Sequence, residues 1–147
     1  MKLSTKGRYG ARLMLDLALH YGKGSVLLKD VAERQEISEK YLGHLIPPLK
    51  VAGLINSSRG AHGGYILARA PQAVTLEEVV QAVEGNLAVV ECITAPTICH
   101  RVGSCVTRDI WGQMSQKMTE VLRSVTLQDM VNRERQKQKP QSLTYSI

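Results

Sequence analysis

The chain has 147 residues, 19 Lys and Arg against 13 Asp and Glu, a net charge of +6, 44% hydrophobic residues, one Trp and no Phe. That length allows one large domain or two small ones, and the apolar fraction suffices for a core. The opening residues lack the apolar stretch of a signal peptide, and no apolar run approaches the length of a membrane span. Three cysteines make no paired disulfide framework. Together these features exclude a secreted disulfide scaffold or a membrane protein, and they place the chain in a reducing cytoplasm. Residues 1–70 carry eleven Lys/Arg and five Asp/Glu, whereas residues 71–147 hold eight of each. A basic half joined to a neutral half points to a polyanion held at one end.

In chain order, Ser4 or Thr5 can cap a first helix running to about Tyr21, with Tyr9, Leu13, Met14, Leu17 and Tyr21 on one face. Residues 22–24, with two glycines, end it. A short helix over 28–35 turns Leu28, Val31 and Ala32 inward. Ser38 caps a third helix whose inward face is Leu42, Leu45, Ile46 and Leu49. Two short helices about a tight turn form a helix-turn-helix pattern, in which the N-terminal residues of the second helix enter the major groove. Pro47 and Pro48 predict a kink or break after that entering turn. Strands over 54–58 and 65–67 flank a turn with Gly60, Gly63 and Gly64, from which Arg59 and His62 project. This is the pattern of a basic wing. A nucleotide-phosphate loop would need a helix after the glycines, and a strand follows instead.

Thr75-Leu-Glu-Glu78 is a capping box opening a helix to about Glu84, which Gly85 ends. Residues 92–105 then hold all three cysteines, Cys92, Cys99 and Cys105, in a segment with Pro96, Gly103 and Ser104. A loop can aim several thiolates at one point, and thiolates suit iron–sulfur clusters, zinc and copper(I). Isolated buried thiols would be scattered rather than grouped. A long helix over 108–125 follows, with Ile110, Trp111, Met114, Met118, Val121, Leu122 and Val125 on one stripe and Gln113, Gln116, Lys117, Glu120 and Arg123 opposite. That stripe suits a dimer interface holding two reading heads one helical turn apart. Thr126 caps a last short helix, and a polar, flexible tail is expected over 134–147. The fold expected is mainly α with a small β-hairpin wing: a winged helix-turn-helix over 1–70, a linker helix and cysteine loop over 71–107, and dimerisation and C-terminal helices over 108–133.

Several segments in order carry a resemblance. They are Leu3-Ser-Thr-Lys-Gly-Arg-Tyr9, Ile37-Ser-Glu-Lys-Tyr-Leu42, Leu49-Lys-Val-Ala-Gly-Leu54, Arg59-Gly-Ala-His-Gly-Gly-Tyr-Ile-Leu67, and Val90-Glu-Cys92 with Cys99 and Cys105 following. Over about residues 2–131 the chain resembles the Rrf2 family of bacterial winged-helix regulators, in particular its iron–sulfur cluster regulator branch. The resemblance implies a homodimeric transcription regulator, not an enzyme. Each subunit would hold a 2Fe-2S or 4Fe-4S cluster through Cys92, Cys99 and Cys105. It also implies double-stranded DNA with a partly palindromic operator as partner, contacted by Ser38, Lys40 and Tyr41 in the major groove. Arg59, Gly60, His62, Gly63 and Gly64 would serve the wing, and Lys2, Lys6, Arg8, Tyr9 and Lys29 the flanking contacts. Related sensors add a fourth, non-cysteine ligand. The positions where the family carries it are Arg8, Arg12 and Arg108 here, which leaves His100, Asp109 and Glu91 as candidates.

Three other readings compete. One is a zinc site of Cys92, Cys99, Cys105 and His100, although the cysteine gaps are wider than zinc ligand pairs usually show. Another is a clusterless regulator docking a metabolic enzyme. The third is a thiol enzyme built on Cys99 and His100, which adjacent residues do not define geometrically.

Overall fold

The computed structural model describes residues 2–60 and 63–139. Six helices and one hairpin follow in the order α1 (Thr5–Leu19), α2 (Leu28–Gln35), α3 (Glu39–Val51), β1 (Ile55–Ser58), β2 (Gly64–Leu67), α4 (Leu76–Glu84), α5 (Val106–Arg123) and α6 (Leu127–Gln138). The mainly α fold with a two-stranded hairpin agrees with the sequence reading. His62 lies outside the described residues.

α1 is the hub, packing on α2, α3, α4, α6 and β2. Its Leu13, Met14 and Leu17 join Val31, Leu42, Leu45, Ile46 and Leu49 of the two helices after it in one core. Val74, Val79, Val83, Leu127 and Val131 complete the same core, so α4 and α6 close over the winged-helix elements. Full burial of such side chains stabilises by about 1.5–3 kcal/mol each. Tyr21 departs from expectation. α1 ends at Leu19 with His20 as its C-cap, and Tyr21 is exposed in the turn beyond. The glycines at 22 and 24 have φ of +83° and +93°, which terminates the helix early.

Within this core Asp16 is only 1% exposed. Arg34 of α2 donates to both of its carboxylate oxygens, at 3.0 and 2.8 Å, and Gln35 Nε2 donates to one at 3.1 Å. Arg12 donates in turn to the Gln35 side chain and backbone carbonyl. The Asp16 carboxylate holds the Arg34 guanidinium pKa above its ordinary value, chiefly through the hydrogen bonds. The turn from α2 to α3 passes through Glu36, the one described non-glycine residue with positive φ (55°). Ser38 then caps α3 by accepting from the Tyr41 N–H at 3.1 Å.

The break expected at Pro47 and Pro48 does not occur, and α3 is continuous over Glu39–Val51 with both prolines inside. The carbonyls that lose their donors are those of Gly43 and His44, both exposed residues. Water can replace the missing N–H groups there, while Leu42, Leu45, Ile46 and Leu49 stay buried on the other face.

The hairpin pairs Ile55 with Leu67 through to Ser58 with Gly64. Val26 adds a short third edge, exchanging both backbone hydrogen bonds with Tyr65 at 2.9 Å. Gly64 is required at this junction. Its φ is +144°, and a Cβ would stand 2.5 Å from the Val26 carbonyl oxygen. α6 also runs further than the sequence suggested. Its turns continue to Gln138, past the point at 134 where a flexible tail was expected, supported by the Thr126–Asp129 capping box and by buried Leu127 and Val131. Among the described residues no helix is long and apolar enough to cross a membrane.

Gly64→Ala should lower stability by about 1–3 kcal/mol through backbone strain and the clash with Val26. Chemical denaturation would show a reduced midpoint with an unchanged m-value; an unchanged midpoint would remove the constraint.

Candidate nucleic-acid interface and cysteine loop

The sequence-expected DNA residues fall into two groups and two separate lysines. Where α1 meets α3, Tyr9 packs edge-on against Tyr41, with ring centroids 5.5 Å apart and planes at 86°. The guanidinium carbons of Arg8 and Arg12 each lie 5.6 Å from the Tyr9 ring centre. Lys6 and Tyr41 line one shallow cavity with His44 and Pro48. Ser38 and Lys40 are exposed at the start of α3. Lys6, Arg8, Tyr9, Lys40 and Tyr41 are thus gathered at one end of the helix-turn-helix. Arg59 and Gly60 are exposed in the wing turn, Gly63 and Gly64 are half-buried where that turn enters β2, and Lys50 Nζ donates to Ser57 Oγ at 2.7 Å to tie α3 to the wing. Lys2 lies apart, in a cavity of about 280 Å³ with Leu3, Glu84, Met118 and Leu122. Lys29 is exposed on the first turn of α2, and nothing described groups it with the others.

The cysteine loop connects α4 to α5. Cys92 sits in a 3-10 turn (Glu91–Ile93), Cys99 follows a second (Pro96–Ile98), and Cys105 is the N-cap residue of α5. All three are free thiols; Cys99 is exposed and the others half-buried. Arg108 donates two hydrogen bonds to the Cys92 carbonyl, at 3.2 and 3.1 Å. It cannot ligate a metal, but it braces the loop against α5, a role sequence reading missed. The Cys105 sulfur lies 3.2 Å from the Thr107 hydroxyl. That hydrogen bond, with further help from the Arg108 backbone N–H, holds the Cys105 thiol below its ordinary pKa.

The donors are soft thiolates of the kind iron–sulfur clusters and zinc take. Among the described residues, however, no three His, Cys, Asp or Glu side chains converge closely enough to hold a metal ion. The residue types fit a cluster, then, while this loop conformation leaves the three sulfurs apart. His100, Asp109 and Glu91 are exposed and complete no such group.

α5 turns its two faces in a definite way. The face that carries Gly112, Ser115 and Thr119 lies toward the rest of the chain. Gly112 faces Ile93, buried Ser115 accepts from the Val89 N–H at 3.0 Å, and Arg123 grips Glu77 of α4 at 2.7 and 3.0 Å. Arg123 in turn lowers the Glu77 pKa. The apolar stripe points outward, with Val121 64% and Ile110 47% exposed, Trp111 and Met118 exposed, and Met114 and Leu122 half-buried. Val125 is not part of it. α5 ends at Arg123, and the Val125 carbonyl accepts from the Leu76 N–H at 2.8 Å in the short link to α6. The Thr75–Thr126 backbone bridge beside it draws the link toward α4 and stops the helix two residues short of expectation.

A family profile described as "Rrf2: Iron-dependent Transcriptional regulator" matches residues 3–133. The chain belongs to the Rrf2 family. Protein rrf2 of Nitratidesulfovibrio vulgaris is 45% identical over 131 residues, covering 89% of this chain and 87% of that one. The HTH-type transcriptional regulator CymR of Bacillus subtilis is 39% identical over 90% of this chain and 91% of its own. Among solved structures, T. potens IscR superposes with a TM-score of 0.81 at 41% identity, covering 99% of this chain and 96% of that one. The B. subtilis CymR structure, titled as the global cysteine regulator, gives 0.76 at 38% identity, over 90% and 98%. These Rrf2 relatives are named as transcriptional regulators, so the chain is a DNA-binding transcription regulator rather than an enzyme.

Thr107→Ala should move the Cys105 pKa back up and leave less thiolate near neutral pH. Iodoacetamide labelling followed by mass spectrometry should show Cys105 alkylation slowed several-fold near neutrality and equal to wild type at alkaline pH, where both thiols are ionised. Equal rates at neutral pH would remove the Thr107 hydrogen bond as the cause.

Proposed function

We propose that this Rrf2 regulator acts in the cytoplasm as a homodimer whose operator binding answers to iron–sulfur cluster status. One 2Fe-2S or 4Fe-4S cluster per subunit would be held by Cys92, Cys99 and Cys105. The observation that carries this reading is the confinement of all three cysteines to the loop between the DNA-reading core and α5. When bound, the cluster would supply iron whose ligation responds to iron supply, oxygen or nitric oxide. The chain's own residues do the rest. Ser38, Lys40 and Tyr41 face the major groove, Arg59 and the wing reach the minor groove, and Lys6 and Arg8 meet phosphates. Loop order biases the spacing of two heads on a partly palindromic operator. A bias of about 3 kcal/mol would change the competent population roughly a hundredfold.

The dimer rests on α5. Its outward stripe leaves several large apolar side chains in water, each worth about 1.5–3 kcal/mol if buried. Val121→Asp would place a carboxylate in that interface and should raise the dimer dissociation constant by roughly a hundredfold, about 3 kcal/mol. Sedimentation velocity would then show monomer, and a persistent dimer would locate the interface elsewhere.

Anaerobic purification followed by absorption spectroscopy and iron, acid-labile sulfide and zinc analysis tests the sensing claim. Iron with sulfide is expected, lost in the variant carrying Cys92→Ala, Cys99→Ala and Cys105→Ala, which should stay folded and change its operator choice. Zinc alone would make the loop a structural site. A second reading is a clusterless regulator answering to thiol oxidation or a metabolic enzyme. It is favoured by the separated thiols, the lowered Cys105 pKa and the similarity to CymR. Absence of iron after reconstitution would select it.

A further inference from the structure

α4 and α6 open with capping boxes drawn from their own first turns, Thr75 with Glu78 and Thr126 with Asp129. α1 is built differently. Its N-cap is Ser4, whose hydroxyl accepts from the Lys6 N–H at 3.2 Å. The residue three positions on, which would supply the reciprocal carboxylate, is Gly7 and has no side chain. The carboxylate comes instead from Glu84, the last residue of α4, eighty positions away in sequence. Glu84 Oε1 accepts from the Ser4 N–H at 3.0 Å, from the Gly7 N–H at 2.9 Å and from the Ser4 hydroxyl. A Cβ on Gly7 would stand 2.7 Å from that oxygen, so the glycine is what admits it. Gly10, one turn on, lets Val83 approach in the same way, its own Cβ position lying 3.1 Å from Val83 Cγ2.

We infer that Glu84 is a positioning residue for DNA binding. It closes the capping box of α1 from a second helix and so fixes the arm of residues 2–4 and the first turn of α1, which carries Lys6 and Arg8. An unfixed backbone in this arm would give up ordering entropy on every phosphate contact. With the arm held, that cost is already met in the free protein. A carboxylate near a polyanion is by its charge alone unfavourable, so its place here is explained by geometry. The inference rests on the proposed placement of this arm at the DNA.

The test measures operator affinity against salt concentration, using a fluorescent duplex selected from a random library by the wild-type protein. Glu84→Ala should weaken binding roughly tenfold and make the slope of log K against log salt shallower by about 1 to 2, because each lost phosphate contact removes about 0.9. Gly7→Ala, which displaces the carboxylate while favouring the helix, should do the same. Glu84→Gln keeps an acceptor oxygen and removes the charge, so it should retain the wild-type slope with equal or tighter binding. Lys6→Ala serves as the reference for arm contact and should reduce the slope by about 1. Wild-type slopes in Glu84→Ala and Gly7→Ala, with a reduced slope in Lys6→Ala, would overturn the inference alone. So would a Glu84→Gln protein as defective as Glu84→Ala. An unchanged slope in Lys6→Ala would take the arm off the DNA, and the inference with it.

Discussion

A carboxylate inside an apolar core must have its charge answered, and Asp16 imposes that demand at the centre of this molecule. Its partners, Arg34 and Gln35, both come from the last turn of α2, so satisfying Asp16 fixes the distance and rotation of α2 relative to α1. The apolar contacts of Leu13, Met14 and Leu17 would tolerate several rotations, whereas the forked hydrogen bonds tolerate one. α3 leaves α2 through a single left-handed residue, Glu36, and inherits the same orientation. α3 is therefore oriented by the ion pair between the buried Asp16 carboxylate and Arg34. Removing one partner of such a pair ordinarily costs about 3–5 kcal/mol. The cost is smaller here, because the Arg34 side chain is 40% exposed.

α4 and α6 pack on the helix that also carries the basic first turn, and Glu84 closes that helix's N-terminus immediately before Gly85 opens the cysteine loop. The carboxylate that caps α1 therefore sits one residue before the start of the cysteine loop. α5 packs instead on α4 and on the 3-10 turn that holds Cys92. It gives its small face to the chain and keeps its apolar stripe outside, the reverse of what a helix does when it packs only on its own core.

The loop between them is held by few contacts. Val89 reaches Ser115, Arg108 reaches the Cys92 carbonyl, and Ile93 lies over Gly112, while Cys99 stays in solvent. Such a segment has little buried apolar surface to fix one conformation, so it can rearrange at small cost around a ligand or an oxidised thiol. Its attachment to the rigid helices on both sides gives any such rearrangement a mechanical outlet.

Periodicity and caps were enough to read α1 to α4, the inward faces of α2 and α3, and the hairpin with its glycines. These depend on residues within a few positions of one another. The end of α1 before Tyr21 was set by the positive φ of the glycines just after it, whereas the end of α5 before Val125 and the uninterrupted α3 were decided by what local pattern does not contain: the backbone bridge to Thr75 and solvent on the Gly43–His44 side. The three cysteines and the basic arm were legible as residue types, and family membership followed from their order along the chain. By itself the sequence determined the winged-helix class, the basic N-terminal half and the thiol-bearing loop, because composition and spacing carry those directly. Only the tertiary structure decided that Arg34 answers Asp16, that Glu84 caps α1, that Arg108 braces Cys92 and that α5 turns its apolar face outward. Each is a pairing across many residues, set by how whole helices pack.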